Sequence, residues 1–133
     1  MRKLLALVAL LLSAHSFGAE SASTTIDIKR FLGTYEGKVQ NGAGLESVVT
    51  VFKSSREGAL TGSYTVTNPE RTFKGTISSI MFEGPRTISM EWTDKDGEGQ
   101  ATMEFSSDYQ SFVGEWIGNR GGRGEWNGRK TGP

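Results

Sequence analysis

Cysteine is absent from this sequence, and its single histidine, His15, lies near the N-terminus. Downstream of His15 the chain therefore lacks the residues of a Ser-His-Asp or Cys-His catalytic site and of a typical zinc site. Exported proteins of this size often depend on disulfides, so this chain must rely on its hydrophobic core for stability. We predict a non-enzymatic protein with no catalytic residue, no metal site and no cofactor. Catalysis by paired carboxylates, lysine or tyrosine is the alternative that these absences leave open.

Long apolar runs are also lacking, apart from residues 4–12. Arg2 and Lys3 precede this run and small or polar residues follow it, which is the pattern of a secretory signal peptide. The run is shorter than the ~20 apolar residues that span a bilayer, so we expect a protein that is not membrane-integral. Cleavage near Gly18 would leave a periplasmic or secreted protein.

Net charge of either sign is lacking too, since 15 basic residues balance 15 acidic ones. Loss of Arg2 and Lys3 with the signal peptide would leave a small acidic excess. A nucleic-acid-binding protein usually carries a strong basic excess, so we predict no nucleic-acid partner. The single Arg-Gly stretch, residues 120–124, is better explained as a flexible hairpin connection than as an RNA-binding segment.

Glycine, by contrast, is abundant, with 18 residues in the chain. Turn-forming clusters occur at residues 41–44, 54–58, 68–70, 83–85, 94–99, 106–110 and 119–122. These seven clusters divide the chain into eight segments of strand length, which is the spacing of a β-meander. Beyond a short turn over residues 27–32, the sequence predicts no helix.

The segments alternate between apolar and polar residues with the period of two that a half-buried strand shows. The apolar set comprises Phe31, Gly33 and Tyr35; Leu60, Gly62, Tyr64 and Val66; Phe73, Gly75 and Ile77; Ile88, Met90 and Trp92; Ala101, Met103 and Phe105; Phe112, Gly114 and Trp116; and Gly124, Trp126 and Gly128. Residues 48–52 are apolar on both faces and cannot be phased, and residues 78–79 interrupt the alternation as a bulge would.

The polar set consists largely of Thr, Ser, Glu and Lys, whereas an outer-membrane barrel needs an apolar outer face. We therefore predict an all-β protein, a single eight-stranded antiparallel up-and-down barrel preceded by a signal peptide. The predicted division is a signal peptide over residues 1–18, an N-terminal arm over 19–30 and the barrel domain over 31–130. The outward carboxylates, such as Glu36, Glu91, Glu104 and Glu115, show no spacing that would bring an acid pair together in a cleft.

Closure of the barrel requires the first strand to pair with the last. We expect residues 33–35 to lie beside residues 126–128, which would leave no exposed sheet edge. Trp126 should then be buried close to Phe31 or Tyr35. The inward glycines, as in Phe31-Leu32-Gly33-Thr34-Tyr35, would let the strands bend and leave room for neighbouring rings.

Short segments of this pattern resemble motifs of known families. Residues 27–36, Asp-Ile-Lys-Arg-Phe-Leu-Gly-Thr-Tyr-Glu, resemble the opening motif of lipocalins, with Tyr35 where lipocalins carry Trp. Residues 107–109, Ser-Asp-Tyr, resemble the lipocalin Thr-Asp-Tyr motif, and Arg129 resembles the arginine that packs over the opening motif. Residues 58–64, Gly-Ala-Leu-Thr-Gly-Ser-Tyr, are similar to a strand of the avidins. The resemblance implies a calycin, an eight-stranded barrel that binds a ligand at its mouth, and it names no particular ligand.

Five inward aromatic residues are the candidates for ligand binding: Tyr35, Tyr64, Trp92, Trp116 and Trp126. We predict an exported, non-enzymatic binding barrel that holds a small, partly apolar ligand at one mouth through these residues. The alternative is an envelope protein-binding module or enzyme inhibitor that acts through its loops or its N-terminal arm. The partner is therefore a small molecule in the first hypothesis and an envelope protein in the second.

Overall fold

The computed structural model describes residues 26–42 and 44–133, which form a 3-10 helix followed by eight strands. The predicted signal peptide over residues 1–18, and residues 19–25 of the predicted arm, lie outside the described residues and stay predictions. The elements are the 3-10 helix, Ile28–Arg30; β1, Gly33–Asn41; β2, Gly44–Ser54; β3, Leu60–Asn68; β4, Arg71–Phe82; β5, Thr87–Asp94; β6, Gly97–Phe105; β7, Ser111–Gly118; and β8, Arg123–Gly132. In this part of the chain, no helix is long and apolar enough to cross a membrane.

The strands form one closed barrel in sequence order. Each strand pairs antiparallel with the next, and β8 pairs antiparallel with β1. The predicted fold class, an all-β eight-stranded up-and-down barrel, is therefore confirmed. The seven predicted turn clusters coincide with the seven connections between strands.

The side chains that the alternation predicts to face inward do so. The structure also shows the orientation of the two segments that the alternation could not assign. Strand β2 places Val48, Thr50 and Phe52 inside, where each is at most 1 % exposed. The predicted bulge lies in β4, where the register against β5 shifts between Ser78 and Met81. Ser79 there adopts a positive φ of 53°, as expected where one extra residue is inserted into a strand.

The register of the closing seam differs from the prediction. Strand β8 does pair with β1, but Trp126 lies opposite Val39, and Tyr35 lies opposite Lys130. Trp126 is buried as predicted, yet the ring that packs against it is that of Tyr64, with centroids 4.9 Å apart. Strands in a barrel are tilted and staggered by a shear, and this displacement does not appear in the residue pattern of either strand.

The basic residue that packs over the lipocalin-like opening segment is also a different one. Arg129 lies within β8 and is exposed. The Lys130 ammonium instead lies 5.4 Å from the centre of the Tyr35 ring, and it donates a hydrogen bond to the Arg30 carbonyl oxygen at 3.2 Å. Because side chains alternate along a strand, Lys130 faces the same side as Tyr35, whereas Arg129 faces away.

One end of the barrel is closed by aromatic rings, and we call it the closed end. The 3-10 helix, whose first turn is capped by the Asp27 carboxylate, carries Phe31 across this end. The fully buried Phe31 ring packs edge-on against Phe105 and Tyr109, with centroid separations of 4.9 and 5.1 Å. The Tyr35 hydroxyl donates to the Phe31 carbonyl oxygen at 2.8 Å, which fastens the segment in place. Any cavity that opens to solvent from the interior must therefore lie towards the other end.

Candidate functional site

A cavity of about 80 Å³ lies at the end of the barrel opposite the closed end. We call it the mouth cavity. The turns β1–β2, β3–β4, β5–β6 and β7–β8 surround this end, because the strands of a meander alternate in direction. The lining residues are Val39, Gln40, Asn41, Glu46, Val48, Tyr64, Val66, Phe73, Trp92, Asp94, Asp96, Trp116 and Trp126. The cavity therefore combines an aromatic and aliphatic wall with three carboxylates.

The aromatic wall consists of two pairs of rings that meet edge to face. Trp92 and Trp116 lie 5.7 Å apart with their planes at 86°, and together they form a corner at the mouth. Tyr64 and Trp126 form the second pair, deeper in the barrel, with their planes at 71°. Edge-to-face pairs of this kind contribute about 0.5–1.5 kcal/mol beyond the burial of their area, which helps to hold the four rings in position.

Each of these rings has a glycine opposite it on a neighbouring strand. Tyr64 lies opposite Gly75, Trp92 opposite Gly99, Trp116 opposite Gly124, and Trp126 opposite Gly114. A Cβ atom at position 75 would lie 2.1 Å from the Cζ atom of Tyr64, so only glycine leaves room for that ring. A Cβ atom at position 124 would likewise approach the Trp116 indole nitrogen, whereas at positions 99 and 114 it would meet the backbone of β7 and β6. Gly75 and Gly124 thus leave room for the rings opposite them.

The polar atoms of the aromatic wall are already hydrogen-bonded within the protein. The indole N–H of Trp116 donates to the Gln40 carbonyl oxygen at 2.9 Å, and that of Trp92 donates to the Gln100 carbonyl oxygen at 3.1 Å. The indole N–H of Trp126 donates to the Thr50 hydroxyl oxygen at 3.0 Å. These bonds fix the three indoles in place and leave their ring faces and edges as the surfaces they present to the cavity.

Three carboxylates line the mouth cavity beside the aromatic wall, and we call Glu46, Asp94 and Asp96 the rim carboxylates. Asp94 accepts hydrogen bonds from the Tyr64 hydroxyl at 2.7 Å and from the backbone N–H of Asp96 at 2.8 Å. Asp96 forms an ion pair with Arg71 at 2.7 Å.

Glu46, on β2, accepts hydrogen bonds from the side-chain amides of Asn41 and Asn68. These two amides come from neighbouring turns at the mouth, so they hold the Glu46 carboxylate at the rim. No rim carboxylate is among the binding residues predicted from the sequence, where a hairpin connection over residues 94–99 was favoured over a calcium loop. The signal that could have found Asp94 is its inward phase, two residues after Trp92.

The structure brings four of the five predicted binding residues together and separates the fifth. Tyr64, Trp92, Trp116 and Trp126 all line the mouth cavity. Tyr35 lies towards the closed end, fully buried among phenylalanine rings that include Phe52 and Phe112. Within the described residues, no three His, Cys, Asp or Glu side chains come together in a way that could hold a metal ion.

Burial raises the pKa of Tyr64 well above its ordinary value, and the hydrogen bond to Asp94 raises it further. Burial also raises the pKa of Tyr35. Both phenols are therefore neutral wherever the barrel is folded at ordinary pH, and Tyr64 acts towards Asp94 as a hydrogen-bond donor.

The raised pKa of Tyr64 predicts a loss of stability in alkali. A phenol whose pKa is higher in the folded than in the unfolded chain stabilises the fold below its unfolded pKa of 10.0, and this contribution disappears as the pH rises towards the folded-state value. We expect the free energy of unfolding, measured in urea, to fall above pH 10 more steeply in the wild type than in Tyr64→Phe. The difference in slope should approach about 1.4 kcal/mol per pH unit. Identical slopes for the two proteins would contradict this assignment.

Comparisons with known proteins identify no family for this chain. No protein-family model matches the chain, and neither a curated protein nor a solved structure matches it.

Proposed function

We propose that this protein is an exported, non-enzymatic binding barrel that takes a small, partly apolar ligand into the mouth cavity. The observation that carries the proposal is the convergence of Tyr64, Trp92, Trp116 and Trp126 on a cavity at one end of a barrel whose other end is closed. Concave, mostly apolar sites with a few convergent polar groups are the usual form of a small-molecule site. The closed calycin-like barrel supports the same proposal, since such barrels hold their ligands at the mouth.

The size of the cavity limits the ligand. At about 80 Å³, the mouth cavity is well below the ~300–1,000 Å³ of sites that enclose a drug-sized molecule. A wider recess of about 490 Å³ adjoins it along the β5–β6 and β7–β8 turns and shares Trp92, Trp116 and Asp94 with it, so a larger molecule would extend outside the barrel. The rest of the interior is filled by a core of buried side chains that includes Phe52, Phe105 and Phe112. The ligand is accordingly a small molecule, or a compact group at the end of a larger one.

The proposal predicts a fluorescence response that originates at the site. The chain has three tryptophans, and all three line the mouth cavity, so its indole emission contains no signal from a distant tryptophan. We expect the tryptophan emission to change, and to reach saturation, when the protein is titrated with at least one member of a panel of small metabolites, sugars and lipid head groups. Trp116→Leu, which keeps apolar volume but removes the ring, should weaken that binding about tenfold, the equivalent of 1.4 kcal/mol.

Deletion of residues 20–25 is the matched control for this experiment. These residues precede the 3-10 helix, which lies at the closed end, so the deletion should leave the affinity for the ligand unchanged. An inhibitor that acts through its arm would instead lose its effect on its target. Absence of any saturable response across the panel would overturn the proposed function.

A further inference from the structure

We infer that the ligand of the mouth cavity carries a positive charge and is a small organic ammonium ion, such as a methylated amine. This inference rests on the proposed function and narrows it to one chemical class. It follows from the hydrogen-bonding state of the cavity wall, the charges at its rim, and the shape of its aromatic corner.

The hydrogen-bond donors of the aromatic wall are already engaged within the protein. An anionic or hydrogen-bond-accepting ligand needs N–H or O–H groups directed at it. The three indole N–H groups and the Tyr64 hydroxyl are donated to Gln40, Gln100, Thr50 and Asp94. The aromatic wall therefore offers such a ligand no free N–H or O–H group, and its ring faces carry a negative quadrupole that repels an anion. The side-chain amides of Gln40 and Asn41 are the remaining donors in the lining.

The rim carboxylates, by contrast, keep negative charge and accepting capacity at the mouth. Within the described residues, Asp96 forms an ion pair with Arg71, whereas Glu46 and Asp94 form none. Their partners are neutral amides, a phenol and a backbone N–H, which leave the negative charge in place and carboxylate lone pairs free. A cation in the cavity would gain from both charges, whereas an anion would be repelled by both.

The charge of Arg71 acts on Glu46 and Asp94 as well as on its partner Asp96, so it offsets part of the negative charge at the mouth. The Arg71 guanidinium is held by Asp96 and lies 4.5 Å from the centre of the Phe73 ring. The Lys95 ammonium lies 5.7 Å from the same ring. Both cations lie beside Phe73 and neither lines the mouth cavity, but Lys95 and Arg120 line an adjoining recess that shares Trp92 and Trp116 with it. In the mouth cavity itself, three rim carboxylates and the one arginine paired with them leave a net negative charge.

The aromatic corner has the shape that a compact cation requires. Trp92 and Trp116 meet at 86°, so a compact group in the angle between them can contact two indoles at once. Trp is the side chain that binds cations most strongly through its face, and quaternary ammonium groups are recognised by aromatic cages of this kind. A methylated ammonium group suits a cavity of about 80 Å³, and its methyl groups match the apolar wall.

A pair of isosteric probes tests the charge directly. Choline and 3,3-dimethylbutan-1-ol have the same shape and differ in that a quaternary carbon replaces the charged nitrogen. Titration calorimetry on the full chain at low ionic strength, where screening is weak, should show choline binding at least about tenfold more tightly than the alcohol.

Carboxylate variants then locate the source of the charge preference. Asp94→Asn keeps one oxygen to accept the Asp96 N–H, and the Tyr64 hydroxyl can rotate to accept from the new amide, so the variant removes charge with little change of structure. Glu46→Gln removes charge on β2 and keeps one oxygen to accept the Asn68 amide, and the Asn41 amide can flip to accept from the new NH2 group. Each should weaken choline binding several-fold and leave the weak binding of the alcohol unchanged. Glu104→Gln is the matched control, because Glu104 is exposed on the outer face between Thr87 and Val113. It should change neither affinity.

The outcomes separate this inference from the proposed function. Equal or tighter binding of the alcohol, or an affinity for choline that Asp94→Asn and Glu46→Gln do not change, would overturn the cation assignment and leave a binding barrel for neutral ligands. Failure of choline and of the other ammonium compounds in the panel to bind, while an uncharged or anionic member binds, would do the same. Failure of every probe and every panel member would overturn the proposed function itself.

Discussion

A chain that ends at Gly122 should not fold. It lacks β8, which pairs with both β1 and β7 and carries the buried Trp126. Without β8 the remaining seven strands expose two sheet edges and lose one wall of the core, and a chain without cysteine has no disulfide to compensate. We expect the truncated protein to show no cooperative unfolding transition in urea and no near-ultraviolet circular dichroism from its remaining tryptophans.

A circular permutant tests whether the truncated protein fails to fold because it lacks β8 or because the chain is interrupted in the β7–β8 turn. The new termini would lie between Arg120 and Gly121, both exposed in the β7–β8 turn, and a flexible linker would join Pro133 to Ile26. The C-terminus already lies beside β1, since the Thr34 hydroxyl donates to the Pro133 carbonyl oxygen at 3.3 Å. The permutant keeps all eight strands and should fold. A truncated chain that melts like the full one would show that the closing strand is dispensable.

The strand pattern was predictable because it depends on local chemistry. Glycine-rich and polar clusters mark the turns, and the period of two sets which side chains face inward, so the sequence predicted the inward phase of Tyr64, Trp92 and Trp116 that the structure places inside. Even the irregularity at Ser78 and Ser79 was visible as a break in this period.

The register of the seam was not predictable, because it depends on the whole barrel. The seam has an irregularity between Thr34 and Tyr35, and its register is held by the Asn127 side chain, which accepts a hydrogen bond from the Lys38 N–H. A period of two along each strand encodes neither feature, and the tilt of all the strands contributes to the stagger. The same displacement brings Lys130, rather than Arg129, over Tyr35. The role that the resemblance to lipocalins implied for Arg129 is therefore wrong, because Arg129 is exposed.

The sequence predicted the aromatic residues of the candidate site but not its carboxylates. Tyr35 and Trp92 share the inward phase, and this phase does not show at which end of the barrel a residue lies. Position along the strand does show it, because β1 and β5 run in the same direction. Tyr35 is near the start of β1, beside the 3-10 helix, whereas Trp92 is near the end of β5. The rim carboxylates were missed because polar residues in turns usually serve the turn alone, and only the folded chain brings Glu46 to the same mouth as Asp94.

Trp126→Ala should destabilise the barrel strongly while leaving all eight strands in the chain. The side chain is 3 % exposed, packs against Tyr64, and donates its indole N–H to the fully buried Thr50 hydroxyl. Replacement of a large aromatic side chain by alanine in a packed core costs about 3–5 kcal/mol. We expect a value near the lower end, about 3 kcal/mol, because the new space adjoins the mouth cavity and water can enter it.

Two further variants separate the ring from its hydrogen bond. Trp126→Phe keeps an aromatic ring and loses the N–H, so its cost should stay near the roughly 1 kcal/mol of one hydrogen bond plus a small loss of packing. Thr50→Val leaves the indole N–H buried without its acceptor and should cost about 1–3 kcal/mol. If packing of the ring dominates, urea unfolding will rank Trp126→Ala well below Trp126→Phe in stability. A Trp126→Ala protein within about 1 kcal/mol of the wild type would instead mean that this indole does not hold β8 in the barrel, and closure would then depend on the backbone ladder with β1 and β7 alone.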